Sequence, residues 1–76
     1  MLFRSIVGTL NTAVGYNALL LNTASGNTAV GARALDANTT GTLNTAIGYD
    51  SLGANQTGLG NTAVGYNALL DRKSVV

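Results

Sequence analysis

Asn11-Thr12-Ala13-Val14-Gly15-Tyr16-Asn17-Ala18-Leu19 recurs three more times along the chain. The copies are Asn27-Thr28-Ala29-Val30-Gly31-Ala32-Arg33-Ala34-Leu35, Asn44-Thr45-Ala46-Ile47-Gly48-Tyr49-Asp50-Ser51-Leu52 and Asn61-Thr62-Ala63-Val64-Gly65-Tyr66-Asn67-Ala68-Leu69. Steps between copies are 16, 17 and 17 residues. The remainder of each unit also returns: Asn38-Thr39-Thr40-Gly41 matches Asn55-Gln56-Thr57-Gly58, and Asn22-Thr23-Ala24-Ser25-Gly26 is a shorter form of it. Gly8-Thr9-Leu10-Asn11-Thr12-Ala13 repeats Gly41-Thr42-Leu43-Asn44-Thr45-Ala46, so residues 1–10 read as a degenerate preceding unit or a cap. Self-similarity at a short fixed period means units that stack, each on its neighbour. The expected organisation is therefore a single repeat domain over residues 1–76, with units 11–26, 27–43, 44–60 and 61–76.

A helical-pair repeat needs about 33 residues or more, and a single helix would carry Gly at one interior position of every copy, costing about 1 kcal/mol each time. The Asn-Thr-Ala-Val-Gly-Tyr stretch instead alternates: Thr, Val and Tyr fall on one face and Asn, Ala and Gly on the other, the period of a short strand. Gly and Asn clusters supply the turns. One or two strands and two turns per unit make one coil, so the expected fold is all-β. It is a parallel β-solenoid or β-roll of about four coils, with like residues stacked at roughly 4.8 Å in sheets that run along a rod. Val or Ile of the strand and the Leu that follows are the expected interior, which leaves the small Ala/Gly face for close contact between rods.

Composition removes whole classes of function. The 76 residues include four Lys or Arg and three acidic residues, with no His and no Cys, and the net charge is +1. Imidazole bases, thiol nucleophiles, disulfides and soft-metal sites are out of reach, and three scattered carboxylates are a poor supply for acid–base work. No enzyme and no cofactor are expected. The weak charge gives no field for phosphates, so nucleic acid is not an expected partner. No stretch approaches the roughly 18 apolar residues of a membrane span, and Met1 to Leu10 lacks the apolar run of a signal peptide. A short chain without staples leaves much of its surface exposed even when folded, so self-association is the expected route to stability.

The repeated residues, above all Ala13-Val14-Gly15, Ala29-Val30-Gly31, Ala46-Ile47-Gly48 and Ala63-Val64-Gly65, resemble the head repeats of trimeric autotransporter adhesins. That family builds the YadA-like left-handed parallel β-roll from an alternating Ser-Val-Ala-Ile-Gly motif. Similar Asn-Thr-Ala-Val-Gly-Tyr tracts occur in phage tail-fibre-like proteins. The resemblance covers about residues 8 to 70. It implies a homotrimer of chains side by side, one coil per repeat, in an adhesive or shaft-like fibre on a virion or bacterial surface. The units here run longer than the family's usual head repeat, and no membrane-anchor barrel or coiled-coil stalk accompanies them in this chain.

Candidate positions follow from the repeat. Asn11, Asn27, Asn44 and Asn61 form an expected ladder whose side chains bond to one another and to backbone between coils. Val14, Val30, Ile47 and Val64 form an apolar ladder, and Gly15, Gly31, Gly48 and Gly65 a third. Tyr16, Tyr49 and Tyr66, with Ala32 in the second unit, are a candidate contact surface for another chain, a host surface or a glycan receptor. Gly58-Leu59-Gly60-Asn61-Thr62-Ala63 fits a relaxed dinucleotide fingerprint, yet its Asn and Ala are repeat positions and the required strand–helix–strand context is missing. Asn38-Thr39-Thr40 and Asn55-Gln56-Thr57 are formal glycosylation sequons at equivalent turns. Arg33 and Asp36 make a surface pair, and Asp71-Arg72-Lys73 a charged stop.

The expected function is a structural or adhesive fibre segment that partners itself as a trimer, with end-to-end fibres as an extension. A functional-amyloid subunit is the alternative. Gly8, Gly41 and Gly58 each precede an Asn by three and an Ala by five, as in curli repeats, although Gln56 is the only Gln. An ice-binding solenoid is a third reading. It needs the hydroxyls of Thr12, Thr28, Thr45 and Thr62 to face outward, whereas sharing a face with Val turns them in.

Overall fold

The computed structural model describes residues 9–69. Each repeat contributes one short strand: β1 (Thr12–Val14), β2 (Thr28–Val30), β3 (Thr45–Ile47) and β4 (Thr62–Val64). The strands form a single parallel sheet in chain order. Like pairs with like throughout: Thr12 with Thr28, Ala13 with Ala29, Val14 with Val30, and so on up to Ile47 with Val64. Among the described residues there is no helix. Parallel neighbours that are consecutive in sequence mean that the chain makes one full turn per repeat, as a solenoid requires. Among the described residues the second half of a unit adds no further strand, so one sheet runs along the stack and turns build the other walls.

Those turns come three in a row. Ala18 N–H bonds to Gly15 O (3.3 Å), Leu20 to Asn17 (3.2 Å) and Asn22 to Leu19 (3.2 Å). The same trio returns at Ala34, Asp36 and Asn38, and again at Ser51, Gly53 and Asn55. The first two turns of each trio need a positive φ at their third residue, as type II turns do. Asn17, Arg33 and Asp50 sit at φ 60°, 64° and 57°, and Leu19, Leu35 and Leu52 at 56°, 54° and 53°. A left-handed Leu or Arg costs about 1–2 kcal/mol. The bonds between coils hold them there, with Leu19 N–H reaching Ala34 O at 3.0 Å and Arg33 N–H reaching Tyr16 O at 2.7 Å.

The interior differs from the sequence expectation. Ala13, Ala29, Ala46 and Ala63 point inward and are buried, together with Ala18, Ala34, Leu19, Leu35 and Leu52. Val14 and Val30 are half-buried on the outer face, Ile47 is 40% exposed and Val64 67% exposed. The expected strand facing is therefore reversed, and only the Leu component of the expected core holds. Narrowness is the reason: the described structure measures 25 × 21 × 14 Å. Each coil already encloses one Leu and two Asn side chains, so the strand has room for a methyl group and no more.

Gly15, Gly31, Gly48 and Gly65 stack at the exit of the strands with φ between 124° and 128°. A Cβ on Gly15 would lie 2.7 Å from the Gly31 carbonyl carbon, and one on Gly48 would lie 2.6 Å from the Gly65 oxygen. Residues 1–8, the remainder of the fourth unit and the charged Asp71-Arg72-Lys73 lie outside the described residues.

The facing is checked by melting. Ala46→Leu overfills the coil and should destabilise it by about 1–3 kcal/mol. Ile47→Thr, on the outer face, should cost clearly less in a dilute sample followed by circular dichroism. A larger loss for Ile47→Thr would restore the opposite facing.

Candidate functional site

A carboxamide offers two donors and an oxygen with two lone pairs, and burial obliges it to use them. Asn27, Asn44 and Asn61 are buried and Asn11 is half-buried. Each Oδ1 accepts the backbone N–H of the next Asn in the ladder: Asn11 from Asn27, Asn27 from Asn44 and Asn44 from Asn61, all at 2.9 Å. Each Nδ2 spans the coil to a carbonyl on the far wall: Asn11 to Ala24 (2.8 Å), Asn27 to Gly41 (2.8 Å) and Asn44 to Gly58 (2.9 Å). The side chain thus joins coil to coil through its oxygen and wall to wall through its nitrogen.

A second ladder lies beside the first. Asn22, Asn38 and Asn55 are fully buried. Asn38 Nδ2 donates to Asn22 Oδ1 (2.7 Å) and Asn55 Nδ2 to Asn38 Oδ1 (2.9 Å). Their nitrogens also reach the carbonyls of Ala24, Gly41 and Gly58, so one oxygen per coil gathers both Asn side chains. The sequence reading treated these Asn as turn residues and sequon acceptors. A glycan attaches through the amide nitrogen, and at Asn38 and Asn55 that atom is buried and hydrogen-bonded, so the sequons are not modification sites in the folded chain. The available signal was an Asn eleven residues after the ladder Asn in three successive units.

Outside, the sheet presents Thr12, Thr28, Thr45 and Thr62 in one row and Val14, Val30, Ile47 and Val64 in the next. The threonines, expected inside with Val, face out with it. Tyr16, Ala32, Tyr49 and Tyr66 continue the pattern beyond the Gly ladder. Tyr49 and Tyr66 stack with ring centroids 5.4 Å apart and planes 12° from parallel, while Ala32 interrupts the row between Tyr16 and Tyr49. Arg33 lies within 3.4 Å of Asp36 and 3.5 Å of Asp50, so the pair read from sequence is joined by a carboxylate from the next coil. Asp50 is the main influence raising the Arg33 pKa. Burial outweighs Arg33 at Asp36 and pushes its carboxyl pKa up.

The described residues contain no group of three His, Cys, Asp or Glu placed to hold a metal, no cavity, and no helix long and apolar enough to cross a membrane. No protein family, curated protein or solved structure matches this chain.

The ladder's worth is measurable. Asn44→Leu leaves the Asn61 N–H without its acceptor, a buried orphan that costs about 1–3 kcal/mol, and leaves the Gly58 carbonyl with Asn55 as its one remaining side-chain donor. Its melting temperature should fall far below that of Gln56→Ala, whose side chain is exposed. Equal melting would mean that the amides do not hold the stack.

Proposed function

We propose that this chain is a structural or adhesive segment of a surface fibre, in which three copies associate side by side through the outer face of the sheet. The observation that carries this reading is the exposed, uncharged array of Thr, Val or Ile and Tyr on one flat wall of a stack whose interior is mostly Ala, Leu and Asn. A contiguous apolar patch on a small soluble chain marks an interaction surface. Val14, Val30, Ile47 and Val64 would meet their counterparts at the seam, and the threefold count follows the adhesin resemblance. The Tyr row at the margin of that face, next to Arg33 and Asp50, offers ring faces and charged groups to a host-surface or glycan receptor. Such a segment belongs on a cell surface or virion, and it carries no catalysis.

A second reading has one observation of its own. The four Thr of one row face outward in register beside Val, so the expectation that set ice binding aside, hydroxyls turned inward with Val, does not hold. A flat, regular array of hydroxyl and methyl groups is the surface that ice adsorption asks for. A curli-like amyloid subunit would use the same parallel rungs but assemble without limit.

Light scattering coupled to size exclusion separates the three. Fibre association predicts three chains per particle, and Ile47→Asp, which puts a carboxylate on the seam, should release monomers that keep the wild-type circular dichroism. A folded wild-type monomer at micromolar concentration with measurable thermal hysteresis would favour ice binding. Growth without a defined particle size would favour the amyloid.

A further inference from the structure

One break in the repeat falls on the Tyr row. Tyr16, Ala32, Tyr49 and Tyr66 hold the same position in successive coils. The backbone keeps them in step: Tyr16 O accepts from Arg33 N–H, Ala32 O from Asp50 N–H and Tyr49 O from Asn67 N–H, at 2.7, 3.0 and 2.9 Å. Rings on adjacent coils close the space between them, as Tyr49 and Tyr66 do with centroids 5.4 Å apart. Ala32 carries a methyl group where another ring would lie. The rungs on either side carry Tyr16 and Tyr49, 66% and 42% exposed. Two rungs of a parallel sheet span about 9.6 Å, twice the strand spacing. The row therefore contains a slot one ring thick, open to solvent, with Tyr16 and Tyr49 as its walls and Ala32 as its floor. Tyr66 covers the face of Tyr49 turned away from this slot and leaves the other face to it.

The rim of the slot is charged. Arg33, Asp36 and Asp50 are the three charged side chains among the described residues, and they gather beside Ala32. Arg33 Nε lies 3.4 Å from Asp36 Oδ2 and 3.5 Å from Asp50 Oδ1. Asp50 first, and then the Tyr49 hydroxyl, favour the charged form of Arg33. Because Nε is the atom that meets both carboxylates, terminal N–H groups of this half-exposed side chain are left for a further acceptor. The carboxylates accept from hydroxyls in turn. We propose that the slot binds one neutral pyranose with equatorial hydroxyls, its two C–H faces between Tyr16 and Tyr49 and its edge against Arg33, Asp36 and Asp50. Such a ring is apolar above and below and polar around its edge, which is the division of surfaces that the slot presents. A flat aromatic ring would leave the rim groups unanswered, and an axial hydroxyl would be pressed onto a Tyr face. One cation against two carboxylates also disfavours an anionic sugar. This inference rests on the receptor part of the fibre reading, to which it gives a place and a ligand class. The slot lies beyond the Gly ladder, so association through the sheet face leaves it open.

Nuclear magnetic resonance titration of the full chain with methyl β-glucoside tests the slot. The ring protons of Tyr16 and Tyr49 should respond to the sugar. Tyr16→Ala removes one wall and should weaken binding about three- to tenfold, the worth of one ring contact. Ala32→Tyr separates a slot from a merely aromatic surface. It installs the residue that the other three units carry, so circular dichroism and melting should match or exceed the parent, yet the new ring fills the slot and should abolish binding. A surface that held sugar by ring area alone would bind more tightly after the same change, and that result would overturn the proposal. Methyl β-galactoside, with one axial hydroxyl, and methyl β-glucuronoside, with a carboxylate, should both bind more weakly than the glucoside. Tighter binding of the glucuronoside, or binding of p-cresol with no response to the glucoside, would assign the slot to another chemistry and sink the pyranose. Molar mass of the same samples is a separate readout. Trimers that ignore the glucoside would overturn the slot and leave the fibre standing, whereas folded monomers that bind it would uphold the slot and overturn lateral association.

Discussion

The buried Asn carboxamide is the group on which the rest of this structure depends. Within a coil it ties the sheet wall to the turn wall through Nδ2, and between coils it accepts a backbone N–H through Oδ1. Apolar side chains tolerate sliding because their contacts are not directional. Two Asn per coil that meet at one carbonyl do not, because a shift of one residue would strand several buried donors at once. Register is thus set by polar groups inside the stack, which leaves the apolar residues of the strand free to face outward.

Strain is distributed along the same lines. Three consecutive turns place Asn17 and Leu19, and their counterparts in each unit, in a left-handed conformation that isolated chains avoid. A Cβ would collide with the backbone of the next coil at Gly15, Gly31 and Gly48. Neither feature is stable in a lone coil. Each becomes affordable when the rung above supplies a bond such as Arg33 N–H to Tyr16 O, so the coils form as a set, as expected for a structure whose contacts run mainly between nearest neighbours.

The repeat made much of this legible. A period too short for helical pairs, a strand-like alternation and a fixed Gly lead directly to a parallel stack with one strand per unit. The inner Asn ladder was readable because the same residue stands at one position of every copy. The facing of the strand was not. Alternation separates Thr, Val and Tyr from Asn, Ala and Gly without saying which set is inside, and the habit that large apolar groups go in decides wrongly for a coil this narrow. The cue was the Asn on the Ala side: a polar residue repeated without variation on one face reports a buried ladder more readily than a wet surface. Left-handed Leu19, Leu35 and Leu52 had no signal, since Leu is a poor predictor of positive φ and is held there by neighbouring coils.

The single irregular step in the repeat shows where such a stack tolerates change. Thr23 pairs with Thr39 and Thr39 with Gln56, while Ala24, Gly41 and Gly58 all receive the two Asn side chains of their own coil. The residue missing from the 16-residue first unit is therefore the counterpart of Thr40 and Thr57, both exposed at a corner. Removing it moves no ladder side chain, because the bonded positions before and after it keep their partners. A deletion one residue earlier would displace Asn22 or Thr23, and one within the strand would turn Ala outward and Val inward. Length variation in this repeat is confined to the one place where the amide ladders do not register it.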